Sequence, residues 1–231
     1  RPRVSVRRLA ATFTRHAVTV DVGKQFIRWG KADIVNPTDR FAPRDFMNVV
    51  DTEFLAVTGV RAVAEIGSDT LEVVWVPRFT PSRVPLVDER WTPVPEGAAG
   101  VTVVDRGSTL PSGPETGLRW GHVGAGVEFS LSFFDGFNQL PNVSAFLAPV
   151  AVTRPPELDV SRTYPALRTY GGDAAVPTRW FTIKGEAAYF TSSTPATDEY
   201  VLYVVQIERQ SGEWVFVGGY AGSVVTESRA A

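Results

Sequence analysis

Arg119-Trp120-Gly121-His122-Val123-Gly124-Ala125-Gly126-Val127-Glu128-Phe129-Ser130-Leu131-Ser132-Phe133-Phe134 alternates almost strictly. Val123, Ala125, Val127, Phe129, Leu131 and Phe133 fall on one face. His122, Gly124, Gly126, Glu128, Ser130 and Ser132 fall on the other. Alternation with period two marks a strand whose two faces meet different surroundings. A run of about a dozen such residues exceeds the about 5–6 of an ordinary strand. It matches the about 9–11 that cross a bilayer.

The pattern extends outward from this stretch. Between Thr178 and Thr191, Phe181, Ile183, Gly185, Ala187 and Tyr189 oppose Thr182, Lys184 and Glu186. Val201, Tyr203, Val205 and Ile207 then oppose Val204, Gln206 and Glu208. The turn Gln210-Ser211-Gly212 leads into a further strand, Trp214 to Gly222. Toward the N-terminus, Val4–Phe13 and Val18–Trp29 flank a turn at Thr14-Arg15-His16. Leu55–Ile66 and Thr70–Val76 flank the hairpin signal Gly67-Ser68-Asp69. Arg61 and Glu65 face away from Val60, Ala62, Ala64 and Ile66. With a strand near Arg162–Tyr170, about nine strands are expected. Long connections are expected at 79–117 and 137–156, rich in Gly, Pro and charge. The expected fold is all-β: an antiparallel up-and-down meander forming a partial transmembrane β-barrel, one domain over 1–231.

Composition narrows the function classes. The 231 residues contain no Cys, which excludes disulfides and thiolate metal sites, and only two His, His16 and His122. A net charge of −2 speaks against nucleic acid as a partner. Lys occurs only at positions 24, 31 and 184, so Arg supplies nearly all the positive charge. No apolar run is long enough for a transmembrane helix, which leaves a barrel open.

Face chemistry favours the barrel over a sandwich. The apolar faces are Val, Ala, Phe, Leu and Tyr with almost no charge, as lipid contact requires. The polar faces carry sparse, mixed groups between small Gly and Ser, which suits a wet lumen. The expected lumen residues are Arg61, Glu65, His122, Glu128, Lys184, Glu186, Gln206 and Glu208. Trp29, Trp75, Trp120, Trp180 and Trp214 sit at expected strand ends, where membrane barrels place interfacial aromatics.

The segment Gly23-Lys24-Gln25-Phe26-Ile27-Arg28-Trp29-Gly30-Lys31-Ala32-Asp33 runs into Asn36-Pro37-Thr38-Asp39, then Pro43-Arg44-Asp45 and, later, Trp75-Val76-Pro77-Arg78-Phe79-Thr80-Pro81-Ser82-Arg83. It resembles Gram-negative outer-membrane β-barrels of the porin-like and alginate-export-like kind. Lys184-Gly185-Glu186-Ala187-Ala188-Tyr189-Phe190 and Tyr203–Arg209 resemble later strands of such barrels. The resemblance implies an outer-membrane location, a lipid bilayer and small hydrophilic solutes as partners, and insertion by barrel-assembly machinery. Such barrels end on an aromatic strand, whereas this chain ends Thr226-Glu227-Ser228-Arg229-Ala230-Ala231. With an odd strand count and no initiator Met, the expectation is a piece of a larger barrel lacking its first and last strands.

Asn36-Pro37-Thr38-Asp39 is first a turn. Its functional version folds Asp39, Arg40, Arg44 and Asp45 into the lumen as a constriction whose opposed charges select permeants. No cofactor is implied, and no catalytic residue is assigned. A membrane-embedded hydrolase using Ser130 or Ser132 lacks a positioned base, because His122 and Glu128 lie about 20 Å apart along one strand. Asp51, Glu53, Asp69, Glu72, Asp88 and Glu89 lack EF-hand spacing for calcium. The expected function is that of a porin-like, non-enzymatic channel. The alternative is a secreted β-sandwich or jelly roll that binds carbohydrate through Trp and Tyr.

Overall fold

The computed structural model describes residues 6–47, 52–85, 101–148 and 156–229. Among the described residues there is no helix, and hence none long and apolar enough to cross a membrane. The strands are β1 (Leu9–Arg15), β2 (Val18–Gln25), β3 (Arg44–Asp45), β4 (Glu53–Phe54), β5 (Val57–Ile66), β6 (Asp69–Val76), β7 (Thr102–Thr109), β8 (Glu115–Gly124), β9 (Val127–Phe137), β10 (Asn142–Leu147), β11 (Glu157–Thr163), β12 (Ala166–Pro177), β13 (Thr182–Thr191), β14 (Glu199–Ser211) and β15 (Trp214–Glu227).

Ten of them form one antiparallel sheet in the order β1-β2-β5-β6-β8-β9-β12-β13-β14-β15. This is an up-and-down meander with excursions. Tight turns join β1 to β2, β5 to β6, β8 to β9, β12 to β13 and β14 to β15, all at one end of the sheet. The connections at the opposite end include three long ones, after β2, β6 and β9. Those long connections hold the remaining strands: β3 pairs with β4, and β10, β11 and β7 make a small sheet whose β11–β7 pair is parallel. No pairing of β1 with β15 closes the large sheet among the described residues.

The expected strand count of nine is therefore too low. Arg119–Phe134 is two strands, β8 and β9, joined by a two-residue turn at Ala125-Gly126, where Gly126 takes φ 88°. Alternation runs unbroken through such a turn in the sequence, but the faces exchange: His122 pairs with Phe129 and Val123 with Glu128. The expected loops at 79–117 and 137–156 contain β7 and β10, which are short and weakly alternating. The strand expected to end at Trp29 ends at Gln25.

One face of the sheet packs on the chain itself. The core gathers Val57, Val74, Val76, Phe134, Leu167, Ala188 and Phe190 from the strands with Ile27, Trp29 and Phe41 from the β2–β5 connection. The three rings of Trp29, Phe41 and Phe134 meet edge to face at 5.3 and 5.1 Å, a favourable aromatic geometry.

The other face is open and apolar. Phe13, Val20, Ala62, Val73, Leu118, Phe133, Tyr170, Tyr189, Val201 and Val224 are successive cross-strand neighbours through all ten strands. This row carries no charge. Val73, Leu118 and Leu131 are each 45% exposed or more, although a soluble protein rarely shows so wide an apolar surface.

Candidate functional site

After Gln25 the chain leaves the sheet and crosses its packed face as a strap, residues 26–47. Pro37 fixes φ and the Asp39 amide donates to the Asn36 carbonyl at 3.3 Å, closing the turn. The Asp39 carboxylate accepts from the amides of Trp29 and Gly30 and from Arg28 Nε, which ties the two legs of the strap together. Asn36 Nδ2 adds a bond to the Ala32 carbonyl.

Five strands hold the strap through polar side chains. Glu186 of β13, buried, accepts from the amides of Lys31 at 3.0 Å, Ala32 at 3.2 Å and Thr38 at 2.8 Å, and from Thr38 Oγ1 at 2.8 Å. Gln206 of β14 both accepts from the Asp33 amide at 2.9 Å and donates to the Asp33 carboxylate. Lys184 bridges Asp33 at 3.2 Å and Glu208 at 2.7 Å. Glu72 of β6 accepts from Trp29 Nε1 at 2.7 Å while receiving the fork of Arg61 at 2.7 and 2.9 Å. Asp173 of β12, its side chain wholly buried, takes Lys31 at 3.2 Å and Arg119 at 3.1 Å, with Ser130 as a further donor. Lys31 also reaches Glu128 at 2.7 Å. A buried carboxylate keeps its charge only when paired and hydrogen-bonded in this way.

Glycines admit the strap. A Cβ on Gly117 would lie 2.5 Å from the Trp29 ring, and one on Gly171 would lie 2.7 Å from Thr38 Cγ2.

The positions expected to line a lumen divide by register. Arg61, Glu128, Lys184, Glu186, Gln206 and Glu208 lie on the packed face; Arg61 pairs with Glu72 and Asp21, and the other five meet the strap or one another. Glu65 shares that register but is exposed at the β5–β6 turn. His122 is a correction. The face exchange at Ala125-Gly126 puts it on the open face beside Trp120, with its Nδ1 2.9 Å from Asp69 and its ring 5.3 Å from Phe129. Trp29 likewise belongs to the core rather than to a rim.

The expected constriction residues take separate roles. Asp39 knots the strap. Arg40 lies 4.9 Å over the Phe190 ring, and Arg44 lies 4.6 Å over Phe54. Asp45 pairs with Arg83. Arg40 and Arg44 line a 120 Å³ cavity with Asn36, Ser82, Asn138 and Gln139.

The strap also rests on Glu72, which the sequence offers only as a carboxylate without calcium spacing, and on Asp173, which the sequence does not single out. Glu72 was legible, alternating with Leu71 and Val73. Asp173 was not, because Gly171, Gly172, Ala174 and Ala175 around it carry little pattern. Among the described residues no cluster of three or more His, Cys, Asp or Glu is arranged to hold a metal. Asp51, Asp88 and Glu89 lie outside the described residues.

No family model matches the chain, and no curated protein or solved structure matches it. What stands is the class the geometry defines: an all-β meander, apolar on its open face, with a hydrogen-bonded strap across its polar one.

Proposed function

We propose that the chain forms much of a Gram-negative outer-membrane β-barrel, a porin-like channel that passes small hydrophilic solutes along its polar face. The observation that carries this reading is the uncharged row from Phe13 to Val224, set against charged groups on the opposite face of the same strands. Lipid demands the first and a watery bore demands the second. The strap narrows the bore. Lys31, Lys184, Glu128 and Glu208 along it supply the opposed charges that bias permeants.

The full chain tests the reading directly. It should require detergent for extraction and give discrete conductance steps in planar bilayers. Glu186→Gln, which loosens the strap, should raise the step size or its noise. A protein that is monodisperse in plain buffer and silent in bilayers would sink the proposal.

A further inference from the structure

The open face of β14 and β15 carries a groove. Gly218 of β15 pairs with Ile207 of β14, and a Cβ built on Gly218 would meet nothing within 4 Å. Gly218 lies in a trough of about 570 Å³ lined by Val205, Ile207, Phe216 and Tyr220, with Arg209 among its lining residues. Arg209 lies four residues from Val205, about 13 Å along the strand, at the tight-turn end.

At that end the surface changes character. Trp180, in the β12–β13 turn, is 61% exposed. Two guanidinium groups converge on its ring, Arg179 at 5.2 Å and Arg209 at 5.9 Å from the centroid. Neither has a carboxylate within ion-pair distance among the described residues. Glu208, next to Arg209 in sequence, points to the other face, where Lys184 holds it at 2.7 Å. Two neighbouring cations without a counter-charge repel, and an anion placed between them relieves the repulsion. Guanidinium groups match phosphate in particular, through paired N–H donors. An exposed Trp at a strand end is where a bilayer's headgroups lie.

We propose that this groove is a binding site for an anionic phospholipid. One acyl chain lies over Gly218, and the phosphate sits between Arg179 and Arg209 against Trp180. The inference rests on the membrane reading above and adds a ligand that the channel function does not require.

Native mass spectrometry of the full chain in detergent, with phosphatidylglycerol and phosphatidylcholine of equal chain length, tests it. The wild type should retain the anionic lipid at least five-fold better. The pair Arg179→Ala/Arg209→Ala should bring retention down to the phosphatidylcholine level. Gly218→Leu, which fills the trough without a backbone clash, should cut anionic-lipid retention at least five-fold with both arginines intact. Arg168→Ala, at the opposite end and paired with Asp135, should change nothing. Equal retention of the two lipids by the wild type, or full displacement by inorganic phosphate, would overturn the lipid site. A chain that needs detergent yet holds both lipids equally defeats only this proposal. A chain monodisperse without detergent defeats the membrane reading, and the lipid site with it.

Discussion

Glu186 concentrates the attachment of the strap in one carboxylate. Its two oxygens receive three amides and a hydroxyl from both legs of the turn, residues 31–32 and residue 38. Hydrogen bonds to charged groups contribute about 1.5–3 kcal/mol each, and a buried donor left without a partner costs a similar amount. Glu186→Gln keeps the shape, removes the charge and turns one acceptor into a donor facing donors. Urea unfolding in detergent should show a loss of about 2–4 kcal/mol on that basis. Asp135→Asn breaks an exposed pair with Arg168 and should stay within about 1 kcal/mol. Equal losses for the two variants would mean that the strap is not held through Glu186. Alternation made Lys184, Glu186 and Gln206 readable as neighbours on one face. Nothing local said that Glu186 and Gln206 would find backbone amides 148 to 173 residues earlier in the chain, or that Lys184 would pair with Asp33.

At the scale of elements, the strap and β8 must approach closely. Gly117 of β8 faces the Trp29 and Phe41 rings at distances no real Cβ tolerates, so Gly117→Ala should cost about 1–3 kcal/mol through overpacking. Gly185 of β13 faces open space, and Gly185→Ala should shift stability by no more than about 0.5 kcal/mol. Melting curves of the two variants check the contrast.

The small sheet obeys a different control. Asp105 of β7 takes both nitrogen-to-oxygen bonds from Arg162 of β11 at 2.7 Å, and this bonding holds its carboxyl below the usual carboxylate range. A depressed folded pKa means stability that is present above the unfolded value of about 3.9 and lost as pH falls through the folded one. Amide exchange in residues 157–163 should therefore be steady from neutral pH down to about 5, once corrected for intrinsic exchange rates, and should rise on further acidification. Arg162→Ala should remove that acid step. An unchanged step in the variant would assign it to another group.

For the whole molecule the decisive property is the open apolar face. Leu118 sits in the middle of the uncharged row, between Val73 and Phe133. Against hydrocarbon, Leu118→Arg should cost about 2–4 kcal/mol and lower the yield of chain folded into lipid vesicles, measured by heat-modifiable mobility on gels. Against water the same change would be nearly neutral. The outcome thus reports what covers this face.

The sequence alone determined that the chain is β-rich and that apolar and polar residues alternate along its strands. It does so because a strand's side chains point to opposite sides by local geometry. Tertiary structure decided the rest. Alternation is blind to a two-residue turn: it assigns His122 to the face of Glu128, and only the β8–β9 register places it beside Phe129. Trp29 and Asp39 look like a strand end and a turn. They become core and knot only because ten strands, folded in one meander, bring Glu72, Asp173, Glu186 and Gln206 against one short strap. Such contacts depend on pairings far apart in the chain, and no local pattern encodes them.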